Sequence, residues 1–205
     1  MVFQDITEQA PPALLTLDDY LKMPHKRIEI LDGKVNIMQG AGFLHHIIAG
    51  NITTIINVYV KKHKTGVVLP DGATFLMFSP HKGLKDTFEP DAAYVSAQDY
   101  IPMPDPSKPY PGVPTLAVEV VSPGDDADDL DYKVQTYLEK GTREVWVVYP
   151  KTQRVYQHKR EGQPSLRLYT DLTDALDCEA LFPGLTLTLA EIFDLPTWIQ
   201  AQTGE

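Results

Sequence analysis

The run Thr115-Leu-Ala-Val-Glu-Val-Val121 is almost continuously apolar and is interrupted by a single carboxylate, Glu119. A short, β-branched run without polar alternation marks a central strand buried on both faces. That strand calls for covering elements on either side, and so for a mixed α/β arrangement. It also poses a problem in charge. An ionised carboxylate among valines has to be paired, protonated or bound to a cation.

The flanking pattern supplies the cover. Thr16 followed by Leu-Asp-Asp reads as a helix start, a hydroxyl N-cap with acids in the first turn, and predicts a helix over 17–23. Arg27 to Met38 forms two alternating apolar runs around Asp32-Gly33, a strong hairpin signal. Between residues 45 and 62, Ile48, Ile52, Ile55, Ile56 and Tyr59 recur at helical spacing, and the length favours helix despite the β-branched content. Short strands are expected at 66–69, 73–78 and 91–95. Six prolines between Ile101 and Pro114 exclude regular helix or interior strand and predict an ordered surface loop. Past the apolar strand, Asp128 or Asp129 is expected to cap a helix running to Lys140, with Gly141 as its stop. Strands are expected at 144–149 and 154–159 around a Pro150-Lys151-Thr152 turn. One or two more strands and a closing segment at 189–193 complete the chain. No internal repeat or linker is present, so one domain over residues 1–205 is expected, with its core at about 16–194.

Composition narrows the function classes. The chain has 205 residues, 43% hydrophobic and 22% charged, ordinary values for a globular domain. No unbroken apolar run approaches the ~18 residues that cross a bilayer. Met1 to Ala13 has neither a basic nor an apolar signal-peptide region, so the expected compartment is the cytoplasm, with no membrane partner. Cys178 is the sole cysteine, which excludes an internal disulfide and a multi-cysteine zinc site. The net charge of −10 disfavours tight non-specific nucleic-acid binding, which draws on Lys and Arg. Many acids are clustered, however, as in Asp125, Asp126, Asp128, Asp129 and Asp131, and a basic groove can coexist with them.

Asp91 stands at the mouth of a second strand, directly after Pro90. Were that strand to neighbour Glu119, the two carboxylates would converge, and like charges at a few ångströms raise one pKa unless a cation lies between them. A hard divalent ion with oxygen ligands, Mg²⁺ or Mn²⁺, answers that need. Each residue taken singly has a simpler reading: Asp91 as a turn residue, Glu119 as an edge or salt-bridged residue, Lys133 as a solvated helix lysine. Their joint occurrence is what favours a site.

Pro90-Asp91, Glu119-Val-Val and Lys133 together resemble the core of a PD-(D/E)XK nuclease. The likeness is closest to the bacterial Uma-type family of restriction endonucleases, long known as a domain of unknown function. The matching stretches include Thr16-Leu-Asp-Asp-Tyr-Leu, Arg27-Ile-Glu-Ile-Leu-Asp-Gly, and His45 with Gly50-Asn51. Glu89-Pro-Asp-Ala-Ala-Tyr-Val-Ser, Leu116-Ala-Val-Glu-Val-Val-Ser-Pro, Lys133-Val-Gln-Thr-Tyr, Gly141-Thr-Arg-Glu-Val-Trp-Val-Val and Phe182-Pro-Gly-Leu follow in order. The resemblance implies a restriction-endonuclease-like fold: a central mixed β-sheet flanked by helices, with an N-terminal β-hairpin. It further implies a metal-dependent endonuclease acting on DNA. Asp91, Glu119 and the Val120 carbonyl would be metal ligands, and Lys133 a catalytic lysine. Glu29 would be a third carboxylate and His45 a phosphate contact or proton relay. The plain superfamily pattern places its lysine two residues after the glutamate, where this chain has Val121; in the family it resembles, the next helix supplies it.

Two assignments stay open from the residues themselves. Glu29 serves equally as a hairpin residue paired with Arg27 or Lys34, and one of His45 and His46 is expected to face solvent. The acids at 125–131 read as helix-start and loop residues, and Trp146 and Trp198 as core or interface. Small nucleases that cut both strands commonly act as two-fold dimers, so a homodimer is expected. The competing classes are a catalytically silent nuclease-fold module binding nucleic acid or a protein, and a hydrolase of another phosphoester; fold alone does not choose among them.

Overall fold

A computed structural model describes residues 15–24, 27–38, 40–77, 83–160 and 165–199. The apolar run forms β5 (Leu116–Val120), buried at every position, in the interior of a six-stranded sheet. The sheet also contains β3 (Gly66–Pro70), β4 (Ala92–Ser96), β6 (Glu144–Tyr149), β7 (Arg154–Lys159) and β8 (Ser165–Tyr169), and its strands lie side by side in sequence order. Only β5 and β6 are parallel. Their crossover is α3 (Ala127–Lys140), which explains why the chain leaves the sheet after β5 and covers one face. The hairpin signal is met in β1 (Ile28–Leu31) and β2 (Lys34–Ile37), with positive φ at both Asp32 (49°) and Gly33 (77°), as a tight primed turn demands. β1 is buried throughout and β2 exposed throughout.

Alternation along the strands divides the core into two layers. Ala92, Tyr94, Leu116, Val118, Val120, Trp146 and Val148 face α2 (Phe43–His63) and the C-terminal segment containing α4 (Leu189–Ile192). Ala93, Val95, Ala117, Val145 and Val147 face α3, Phe75, Phe88 and Tyr110. α2 buries His45, Ile48, Ala49, Ile52, Ile56 and Val60; of the stripe that its periodicity announced, Ile48, Ile52 and Ile56 are buried, and Ile55 and Tyr59 are half-buried against the same core. By length and composition α2 would also span a bilayer, although its sequence contains no unbroken apolar run of that length. Its apolar stripe is instead buried against the sheet.

Several local expectations need correction. The strand anticipated at 73–78 is reduced to isolated bridges at Phe75, which pairs with Phe88 and Tyr110, because the neighbouring chain is loop rather than a second long strand; residue 78 lies outside the described residues. The cap of α3 is Asp126, whose carboxylate accepts the backbone N–H groups of Asp128 and Asp129, so those two acids are first-turn residues. α1 (Leu17–Leu21) stops short of residue 23, held at its start by a reciprocal cap between Thr16 and Asp19. Of the two tryptophans read as core or interface, Trp146 is wholly buried in the core and Trp198 is exposed.

Candidate active site

The site forms at the carboxyl end of β5, where the chain turns towards α3. Antiparallel register pairs Ala92 with Val118, so Asp91, one residue outside β4, comes opposite Glu119 on the α3 side of the sheet. Cross-strand neighbours of this kind have Cβ atoms roughly 5 Å apart. Both Asp91 oxygens are held: Oδ2 accepts the Val120 N–H at 2.7 Å, and Oδ1 lies 2.8 Å from His45 Nε2. His45 sits in the first turn of α2 and is buried, while His46 is exposed. Its other ring nitrogen lies 3.1 Å from the Ser122 hydroxyl.

Lys133 is two turns into α3 and is buried, not solvated. Its ammonium donates to Glu119 Oε2 and to Glu29 Oε1, each at 2.9 Å. Glu29 therefore pairs across the molecule with Lys133 rather than with Arg27 or Lys34, and it also accepts the Glu89 N–H at 2.8 Å. Tyr137, one turn beyond Lys133 on the same helix face, donates its hydroxyl to Glu119 Oε1 at 2.9 Å. A cavity of about 370 Å³ opens onto these groups, and Glu29, His45, Asp91, Glu119, Val120 and Lys133 all line it. Asp125, Asp126 and Asp129 stand at its wall. Asp125 and Asp126 also have structural duties there, one accepting the Ser122 N–H and the other capping α3.

The electrostatics follow from an imbalance. Glu29, Asp91 and Glu119 supply three carboxylates, and Lys133 is the ammonium paired with two of them. Burial, with the charges of Asp91 and Glu29, pushes the Glu119 carboxyl up to about 8 despite the downward pull of Lys133. Burial works against the Lys133 ammonium, but Glu119 and Glu29 outweigh it and hold the group charged beyond its ordinary range. Burial likewise opposes protonation of His45, yet the Asp91 hydrogen bond and charge carry its pKa upwards. The Tyr137 phenol is pushed well up by burial and then by the same carboxylates, so it acts as a donor.

A family model described as "Putative restriction endonuclease", Uma2, matches residues 17–190. The chain belongs to the Uma2 family. Among solved structures, a putative nuclease of DUF820 from Anabaena variabilis ATCC 29413 shares the fold with a TM-score of 0.73. The two are 18% identical, over 87% of this chain and 97% of that one. No curated protein matches the chain.

Against the Uma2 pattern, the structure brings all six sequence-selected residues to one cavity. Among the described residues no three His, Cys, Asp or Glu side chains form a ready-made metal cluster. The donor chemistry still fits a hard divalent cation. Glu29 Oε1 is fully used by Lys133 and Glu89, but each oxygen of Asp91 and Glu119 accepts a single hydrogen bond and retains a second lone pair. Sequence reading missed Ser122 as a partner of His45 and gave Tyr137 no role. The four-residue spacing from Lys133 was the available signal for Tyr137; nothing local pointed to Ser122, because α2 is distant in sequence.

Proposed function

We propose that this Uma2 protein is a metal-dependent endonuclease that hydrolyses phosphodiester bonds in DNA. The observation that carries the reading is the placement of Lys133 between Glu29 and Glu119, with Asp91 across the sheet, in one cavity. Asp91, Glu119 and the Val120 carbonyl would hold Mg²⁺ or Mn²⁺, which supplies a bound water of lowered pKa and positive charge near a scissile phosphate.

The remaining work belongs to the chain itself. Lys133 presents an ammonium to the attacking water or to charge developing on the phosphate, while Glu29 fixes its position. Tyr137 holds one oxygen of Glu119 and so sets that carboxylate's rotamer. His45, oriented by Asp91 and Ser122, contacts phosphate or relays a proton. Cleavage of both strands would use two copies related by a two-fold axis, and light scattering of the purified protein tests that expectation.

Plasmid DNA incubated with the protein and Mg²⁺ or Mn²⁺, alongside Asp91→Ala and Lys133→Ala, tests the reading. Nicking or linearisation by the native protein alone is the expected result. Absence of cleavage on DNA and RNA alike would point to the silent nuclease-fold module instead.

A further inference from the structure

The acids around the cavity leave a question for any polyanionic substrate, since the chain carries a net charge of −10. The opposite end of the sheet has the opposite character. α2 finishes in Lys61, Lys62 and His63 with Lys64 as its cap, all exposed, and Thr65 follows directly into β3. α3 finishes in the exposed Lys140 beside Gly141. At the same end of the sheet, Arg143 precedes β6 and Arg160 follows β7, and the Arg160 N–H donates to the Arg143 carbonyl at 2.9 Å. Both helix C-termini thus place cations where the helix dipole favours them, along the same edge of the sheet.

The two arginines are more than surface charge. They line a shallow cavity of about 470 Å³ with Asp99 and Gly141. Arg143 is braced by Asp99 at 2.8 Å, and the other Asp99 oxygen accepts the Ser96 and Thr115 hydroxyls, each at 2.8 Å. The Asp99 charge is therefore already balanced by Arg143 and satisfied by hydroxyls. Arg160 has a long bond, 3.4 Å, to the Gly141 carbonyl and, among the described residues, no ion pair. A braced guanidinium beside one that, among the described residues, has no ion pair, in a concave site next to Lys140, is suited to an oxyanion.

We infer that the Arg143–Arg160 cleft is a second anion-binding site, which takes backbone phosphate of a nucleic acid away from the point of cleavage. The identity of the ligand rests on the nuclease reading; the anion site does not. Arg143, just before β6, is four residues from Val147, which pairs with Glu119, so the cleft and the carboxylates are separated by roughly 13 Å along the strands. The site gives an acidic protein a local basic contact for DNA without placing that contact at the cavity.

The test is fluorescence anisotropy of a labelled duplex oligonucleotide with the full chain in EDTA, so that no cleavage intervenes. The comparison is among native protein, Arg160→Ala, Arg160→Glu, and Arg154→Ala, which removes the same charge from the other end of β7. Arg160→Ala should weaken binding several-fold and reduce the slope of log K against log salt by about one, and Arg160→Glu should weaken it further. Arg154→Ala should leave both unchanged. Inorganic phosphate should compete with the duplex for native protein but not for Arg160→Ala. Equal losses in Arg160→Ala and Arg154→Ala, no loss in either, or no duplex binding by native protein would overturn the inference. Cleavage that survives in Arg160→Ala with unaltered affinity would sink this site and leave the nuclease reading intact. Arg160-dependent binding by a protein that cuts nothing would do the reverse.

Discussion

Glu119 and Glu144 lie on neighbouring parallel strands and are both buried, yet only one of them belongs to the cavity. Glu144 faces the α2 layer, where Oε2 accepts Trp146 Nε1 at 2.9 Å and Gln157 Nε2 at 2.8 Å. Lys159 lies 3.5 Å from its other oxygen and also pairs with Asp177, which Arg167 approaches from outside. That group has two carboxylates and two cations. The Glu119 group has three carboxylates around one ammonium, with the His45 imidazole on Asp91, and opens to a cavity. Burial of a glutamate therefore does not by itself signal chemistry. Uncompensated charge in a place that a ligand can reach does.

This contrast can be broken most directly at Lys133. Lys133→Met should abolish cleavage and lower stability at pH 7 by about 3–5 kcal/mol, because the buried carboxylates lose their counter-charge. Urea denaturation in EDTA checks this. A variant as stable as the native protein would mean that the cluster is not short of positive charge.

Glu119→Gln should also abolish cleavage, but with the opposite effect on stability. The folded-state pKa of Glu119, about 8, lies above its ordinary value of 4.5, so the folded protein binds that proton more tightly than the unfolded chain. Its contribution is fully present below pH 4.5 and is lost as pH rises towards 8. Without metal, the native protein should thus lose stability across that window, while the Gln variant lacks this component of the loss. Parallel pH–stability curves for the two proteins would contradict the assignment.

Glu144→Gln sharpens the comparison from the other side. It should cost about 1–3 kcal/mol by urea denaturation, since buried donors lose a charged acceptor, while Lys159 keeps Asp177. Cleavage per folded molecule should be unchanged. Tyr137→Phe is expected to have the smallest effect on stability, about 1 kcal/mol, for one lost hydrogen bond. It should still reduce kcat measurably, because Glu119 would no longer be held from the helix side. A drop in stability without any kinetic change would make Tyr137 purely structural.

Much of the fold was legible because it rests on local rules. The hairpin followed from Asp32-Gly33, the buried central strand from an apolar run that only Glu119 interrupts, and α2 from its isoleucine spacing. The prolines of 101–114 were rightly read as non-regular. The α3 cap was misassigned because five aspartates offered several candidates, and only the backbone angle at Asp126 distinguished one. Residues 73–78 had strand composition, but among the described residues Phe75 found bridging partners only at Phe88 and Tyr110, which no local pattern shows.

The sequence alone determined which residue types were available to the site: an aspartate at a strand mouth, a glutamate that a valine strand could not leave uncompensated, and a lysine on the helix after it. The resemblance to Uma2 ordered them, and the family match bears out that membership. Only the tertiary structure decided their partners. Antiparallel register set Asp91 opposite Glu119, the β5–α3–β6 crossover brought Lys133 back over the strand end, and hairpin docking gave it Glu29 as well. Those pairings join residues up to 104 positions apart, and such contacts depend on how layers pack rather than on any local preference.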